Sequence, residues 1–166
     1  MKPGDHPEFF RFPSPPGTSR ESKIRLDRDA KFWSEGDPID HPRLEAALHS
    51  WIARHPDDGR PILTNGYDWT YFTVDDAPFV VRSCSVDDAG HVTLALSNDD
   101  RVPLVPDTLE EADDGALYAQ VTVKGERWPA RFSRFAQAGL GPALIEEDGR
   151  VGVRGPQGLV VPRRRA

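Results

Sequence analysis

The sequence predicts an α+β protein of mainly antiparallel sheets, arranged as two related subdomains that arose by internal duplication. Three observations lead there. Runs such as Val92, Leu94, Leu96 and Leu117, Ala119, Val121, Val123 alternate with polar or small residues, the period of strands with one buried face. Two other segments space their apolar residues as amphipathic helices do. The order of hairpin, glycine, helix, acidic-Gly-Arg turn and strand also occurs twice. Gly36 precedes Gly59 by 23 positions and Gly125 precedes Gly149 by 24, the signature of a repeated unit.

A chain of 166 residues suits one domain or two small subdomains that share a core. Apolar residues are 37% and charged residues 29%, an ordinary globular balance that excludes a disordered chain. Sixteen prolines and fourteen glycines imply short elements joined by many turns. The single cysteine, Cys84, cannot form an internal disulfide and is read as a small buried strand residue in a reducing compartment. No apolar run nears the roughly 20 residues of a membrane span. The start, Met1 to His6, lacks the apolar core of a secretion signal. These features predict a cytoplasmic location and no membrane partner.

The net charge of −6 is unevenly spread. Residues 74–115 hold two basic side chains against eleven acidic ones, and residues 116–166 hold nine against four. An acidic middle and a basic C-terminal part predict intramolecular attraction or two distinct binding surfaces. The overall acidity argues against broad, non-specific DNA binding.

Residues 1–22, rich in Pro, Gly and Ser, read as a flexible arm without regular structure. Its Phe9-Phe10-Arg11-Phe12 cluster either tacks the arm onto the body or serves as a peptide for a protein partner. The first repeat covers residues 23–78. Residues 23–27 and 31–33 flank a polar turn and predict a hairpin. A helix opens near Asp40-His41-Pro42, where proline suits the first turn. Leu44, Ala47, Leu48, Trp51 and Ile52 form its buried face, which leaves His49 outside and exposed. Pro56-Asp57-Asp58-Gly59 stops the helix, and residues 60–64 and 69–74 read as strands around Asn65-Gly66.

Thr73 to Val81 reads as a strand with a defect, because Pro78 cannot donate to a ladder; the chain is expected to change direction there. The second, sheet-rich subdomain covers residues 79–162. It predicts strands at 79–86, 91–97 and 117–123, and an irregular acidic connection at 103–115. A second helix is expected to bury Trp128, Phe132, Phe135, Ala136 and Gly139 and to end at Gly141-Pro142. A final strand passes through Val151 and Val153. Residues 163–166 are read as a disordered basic tail.

One set of motifs is specific in its order and spacing. It comprises Ile24-Arg25-Leu26, Phe32-Trp33-x-x-Gly36-x-Pro38-Ile39, Leu63-Thr64, Val74-Asp75-Asp76-Ala77-Pro78-Phe79 and Leu96-Ser97-Asn98-Asp99-Asp100-Arg101-Val102, followed by Asp148-Gly149-Arg150 to Pro162. With these residues the chain resembles the bacterial family known as domain of unknown function 1285. The resemblance implies a duplicated α+β fold whose C-terminal half is like pleckstrin-homology domains. It implies a nucleotide-like or nucleic-acid-based ligand at the junction of the two halves, and a link to signal transduction. It brings no activity. The chain departs from the family in the region of the second helix, where aromatic and arginine residues are denser.

Three groups of residues invite a chemical reading. Arg127, Arg131 and Arg134 stand at i, i+4 and i+7 of the expected second helix, and Arg150 and Arg154 follow. Guanidinium groups bind phosphate through paired planar hydrogen bonds, although such a stripe equally serves as a solvated face. Arg82 and Arg101 are the two bases of the acidic middle, as counter-charges or as phosphate contacts. Trp33, Trp69 and Tyr71 would stack a base or belong to the core. Third, the acidic pairs at 57–58, 75–76, 87–88, 99–100 and 113–114 are turn residues by their neighbours, with hard-cation binding as the alternative. The predicted ligand-binding set is Arg82, Asn98, Arg101, Arg127, Arg131, Trp33, Trp69 and Tyr71.

Catalytic and metal residues are not assigned and no cofactor is expected, because phosphate-loop, nucleophile-elbow and zinc-helix motifs are all missing. The leading expectation is a non-enzymatic module that binds a phosphate-bearing, nucleotide-like or short nucleic-acid ligand. A protein-interaction scaffold using the arm and the acidic middle is the alternative. A metal-dependent hydrolase is the third reading.

Overall fold

Turn chemistry sets the first elements. The computed structural model describes residues 1–166. Strands β1 (Ile24–Leu26) and β2 (Phe32–Ser34) pair antiparallel around a turn that Asp27 organises. Its Oδ1 accepts the backbone N–H groups of Asp29 and Lys31, both at 2.9 Å. Glu35 and Gly36, with φ of 53° and 86°, then turn the chain into β3 (Asp37–Pro38). Two consecutive positive φ values define a tight hairpin, and glycine adopts the second at no steric cost.

Helix α1 (Pro42–Trp51) is capped by His41, whose side chain accepts the Leu44 N–H. The meander of β4 (Ile52–Arg54), β5 (Pro61–Thr64) and β6 (Trp69–Tyr71) follows, and β7 (Thr73–Val74) returns to run parallel to β1. The buried stripe of α1 is rotated from the one expected. Leu48, His49 and Ile52 are buried, while Leu44 is exposed. His49 therefore belongs to the core, its ring centroid 4.8 Å from that of Phe32, not to the solvent. The helix also stops at Trp51, because Ile52, Ala53 and Arg54 pair with Leu63, Ile62 and Pro61.

The chain divides into two compact units, Met1–Asp76 and Ala77–Ala166. It leaves one sheet at Val74 and enters another at Phe79, and Pro78 lies in the connection. Unit 1 holds a four-stranded sheet, β3-β2-β1-β7, and the three-stranded β4-β5-β6.

Unit 2 opens with β8 (Phe79–Val86), β9 (Val92–Leu96) and β10 (Arg101–Pro103), then β11 (Glu110–Glu111), β12 (Leu117–Val123) and β13 (Glu126–Phe132). Helix α2 (Arg134–Gly139) leads to β14 (Leu144–Glu147), β15 (Arg150–Gly155), β16 (Gly158–Val160) and β17 (Arg163–Arg164). A seven-stranded sheet runs β10-β9-β8-β13-β12-β11-β17, and β14-β15-β16 forms a three-stranded one. Phe79, Val81, Leu94, Leu96, Val121, Trp128 and Phe132 are buried in it. The order of glycine-turned hairpin, helix and three-stranded meander thus occurs in each unit. The helices differ, with ten residues in α1 and six in α2. No helix is long and apolar enough to cross a membrane.

Three expectations are corrected by pairings between distant residues. The second helix does not begin at Trp128: residues 126–132 are a strand, paired with β12 on one side and with β8 in parallel on the other. Trp128, Ala130 and Phe132 are buried alternately, and Pro129 would break a helix interior. The helix starts only after Ser133, whose hydroxyl accepts the Ala136 N–H at 3.1 Å. The acidic connection is not wholly irregular, since Glu110–Glu111 is a strand. The basic tail is ordered against it as β17, parallel to β11. Arg165 meets Glu110 at 2.9 Å and Arg164 meets Asp113 at 2.7 Å.

Candidate functional site

Alternation along β13 places Arg127, Pro129 and Arg131 on one side and the buried Trp128, Ala130 and Phe132 on the other. Arg127 and Arg131 are thus about 13 Å apart along the strand, at roughly 3.3 Å per residue. Opposite them on β12 stand Thr122 and Tyr118. Arg134 belongs to α2, so the three arginines do not form the helix stripe expected from their spacing. Arg150 and Arg154 lie on β15.

The acidic middle brings Arg82, Asn98 and Arg101 to one end of the same sheet. Arg82 occupies the irregularity between Val81 and Ser83 of β8, where an extra residue bends the strand. Its guanidinium lies 3.5 Å from Asp99. Ser83 and Arg101 flank Ala95 of β9 from opposite sides. Asn98 is spent on its own turn: its Oδ1 accepts the Asp100 N–H at 3.1 Å and its Nδ2 donates to the Asp100 carboxylate at 3.0 Å. Because Leu96 pairs with Val81 and Ala95 with Arg101, the pleat puts Arg101 on the same face as Arg131.

The three predicted aromatic residues lie in unit 1, in two places. Trp33 donates from Nε1 to Asp27 at 2.9 Å and carries Arg25 over its ring at 5.3 Å. Burial pushes the Asp27 carboxyl up, but the hydrogen bonds from Trp33 and from the backbone of Lys31 and Asp29 outweigh it and hold it below the usual range. Trp69 and Tyr71 meet edge to face at 5.1 Å, and His55 lies between them, 5.0 Å from Trp69 and 5.6 Å from Tyr71. Arg60 stacks on Tyr71 at 3.7 Å and is paired with Glu21 at 2.8 and 3.0 Å. The Tyr71 hydroxyl donates to Asp58 at 2.7 Å. Burial first, and then this bond, raise the phenol's pKa, while the bond lowers that of Asp58.

Residues 1–22 complete this cluster. They contain two 3₁₀ turns, Pro3–Asp5 and Pro7–Arg11, and lie against the meander. Phe10 is 6.1 Å from both His55 and Trp69. Arg11 binds Asp57 with contacts of 2.8 to 3.1 Å, and the Tyr71 N–H donates to the Arg20 carbonyl at 2.7 Å. His55 and Arg60 stand outside the predicted ligand-binding set. The signal available was their position on either side of the Pro56 to Gly59 turn, which aims both at the following strands.

The acidic pairs at 57–58, 87–88 and 113–114 behave as turn residues, while Asp75 pairs with Arg25. Asp87 Oδ1 accepts the N–H groups of Ala89 and His91, and Asp58 and Asp114 accept those of Arg60 and Ala116. No three His, Cys, Asp or Glu side chains are grouped so as to hold a metal ion. Burial pushes the Cys84 thiol up to about 11, the reverse of what a thiolate nucleophile needs.

Two solved structures share this architecture. A DUF1285 family protein from Silicibacter pomeroyi DSS-3 matches with a TM-score of 0.59 and 21% identity over 92% of each chain. The chain has the DUF1285 fold. A second DUF1285 family protein, from Shewanella baltica OS155, matches with a TM-score of 0.53 and 14% identity, over 70% of this chain and 87% of that one. The fold therefore agrees with the resemblance carried by the motifs. No family model and no curated protein matches the sequence.

Proposed function

We propose that this protein is a non-enzymatic binding module for a phosphate-bearing, nucleotide-like ligand, serving in signal transduction, with arginines of unit 2 as its anion contacts. The observation that carries this reading is the alternation of β13. It sends Arg127 and Arg131 out of one sheet face, the face from which Arg101 also projects. Guanidinium forks pair with phosphate oxygens two at a time, and the 13 Å spacing suits a ligand of nucleotide length. The reading is confined to unit 2, because Trp33, Trp69 and Tyr71 already carry ring partners within unit 1.

The test is a thermal-shift series of the purified chain with nucleotides, dinucleotides and short RNAs. A ligand at 100 times its Kd stabilises by about 2.7 kcal/mol, which at this size raises the Tm by about 5–10 °C. The Arg101→Ala/Arg131→Ala variant is expected to lose the shift. Unchanged affinity in that variant overturns the reading.

A further inference from the structure

Unit 2 also holds a cavity of about 480 Å³ that none of the predicted ligand-binding residues lines. Three segments far apart in sequence form its walls. Val92 comes from the start of β9, Pro103 and Leu104 from the end of β10, and Val153 from β15; Pro106 and Pro156 close the sides. The volume lies in the range of small-molecule sites, which are mostly apolar with few polar groups. Gly155 lets the chain pack closely behind one wall. A Cβ on Gly155 would come within 2.5 Å of the Val160 side chain and 3.8 Å of Pro106.

Two polar side chains stand at the rim, Arg154 and His91. The Arg154 guanidinium has no hydrogen bond or ion pair within the protein, whereas Arg163, Arg164 and Arg165 of the same basic segment are all bonded to the acidic connection. His91 is the other, its Nδ1 3.3 Å from Asp87. Three of the lining residues are prolines, which have no N–H to offer. A neutral polar ligand would leave its own groups unsatisfied against such walls. A ligand with an apolar body and one anionic end would bury the body and place the charge beside Arg154.

We infer that this cavity is a second binding site, and that it takes a small organic anion with a flat apolar body, such as an aryl carboxylate. The site is independent of the arginines on β13.

Calorimetric titration of the full chain with 2-naphthoate and with the neutral 2-naphthylmethanol tests it. The acid is expected to bind at least tenfold more tightly than the alcohol. Arg154→Ala should bring the acid down to the level of the alcohol, and Ala89→Trp, made on an exposed turn residue at the mouth, should abolish both. Arg101→Ala/Arg131→Ala should leave naphthoate binding unchanged, which separates this site from the phosphate reading. Equal binding of acid and alcohol, full naphthoate affinity in Arg154→Ala, or no binding of naphthoate by the wild type at millimolar concentration overturns the inference.

Discussion

The two three-stranded meanders, β4-β5-β6 in unit 1 and β14-β15-β16 in unit 2, each follow a helix, yet they are stabilised in opposite ways. The first is filled by bulk. His55, Trp69 and Tyr71 stack on one another, and residues from the N-terminal arm cover them. The arm also bonds to the meander through its backbone: the Gly4 N–H donates to the Gly66 carbonyl at 2.8 Å. The second is closed by the absence of side chains. A Cβ on Gly152 would overlap the Val160 carbonyl of the next strand, so β15 and β16 approach only because glycine stands there. Its outer residues stay uncovered, with Leu144 and Val151 about half exposed. One order of elements can therefore be completed by a distant segment or by close backbone packing.

The largest effect is expected from breaking the second meander. Gly152→Ala forces a methyl group against backbone that cannot move aside, and overpacking of this kind costs about 3 kcal/mol. Thermal melting should show a loss of roughly 10 °C, and hydrogen exchange should place the lost protection in residues 144–160.

A smaller loss should follow from uncovering the first. Phe10→Ala removes a half-buried ring from His55 and Trp69, at about 1–2 kcal/mol. Phe135→Ala in α2 is the control. That ring is 75% exposed, and its removal should leave the melting curve unchanged. Equal effects of the two substitutions would show that the arm does not seal the meander.

The smallest effect is a pH dependence of the arm. Hydrogen bonds from Arg11 to Asp57 and from Arg60 to Glu21 hold both carboxyls below their ordinary values. A depressed folded-state pKa gives stability that is complete above the unfolded value and is lost as the pH falls through the folded one. Arm protection should therefore persist at neutral pH and fall below about pH 4. Limited proteolysis between residues 1 and 22 reads it, and Asp57→Asn should show faster cleavage already at pH 7.

Several elements were legible because their causes are local. The β1–β2 hairpin needs only Asp27 and its two backbone donors, and the start of α1 needs only His41 and Pro42. Glu35-Gly36 and Lys124-Gly125 both adopt paired positive φ values, so each glycine sits in a tight turn. The strand at 92–96 followed from its alternation. Among candidate site residues, Arg127 and Arg131 were expected on one face of a helix and share one face of a strand instead. Positions four apart share a face in a strand, and they nearly do in a helix, so the spacing alone could not decide between them.

What the sequence by itself determined is the α+β class, the hairpins of the first half, the place where the chain passes from one sheet to another, and the turn role of most acidic pairs. Each rests on residues within a few positions of one another. Only the tertiary structure decided that residues 126–132 form a central strand, since β8 and β12 supply its partners from 51 and from 3 to 13 positions away. It likewise decided that His49 is buried against Phe32, that Arg163–Arg164 is a strand beside Glu110–Glu111, and that the arm covers Trp69. In each of these the free energy comes from a surface or a ladder brought together by the rest of the chain, and no local pattern encodes it.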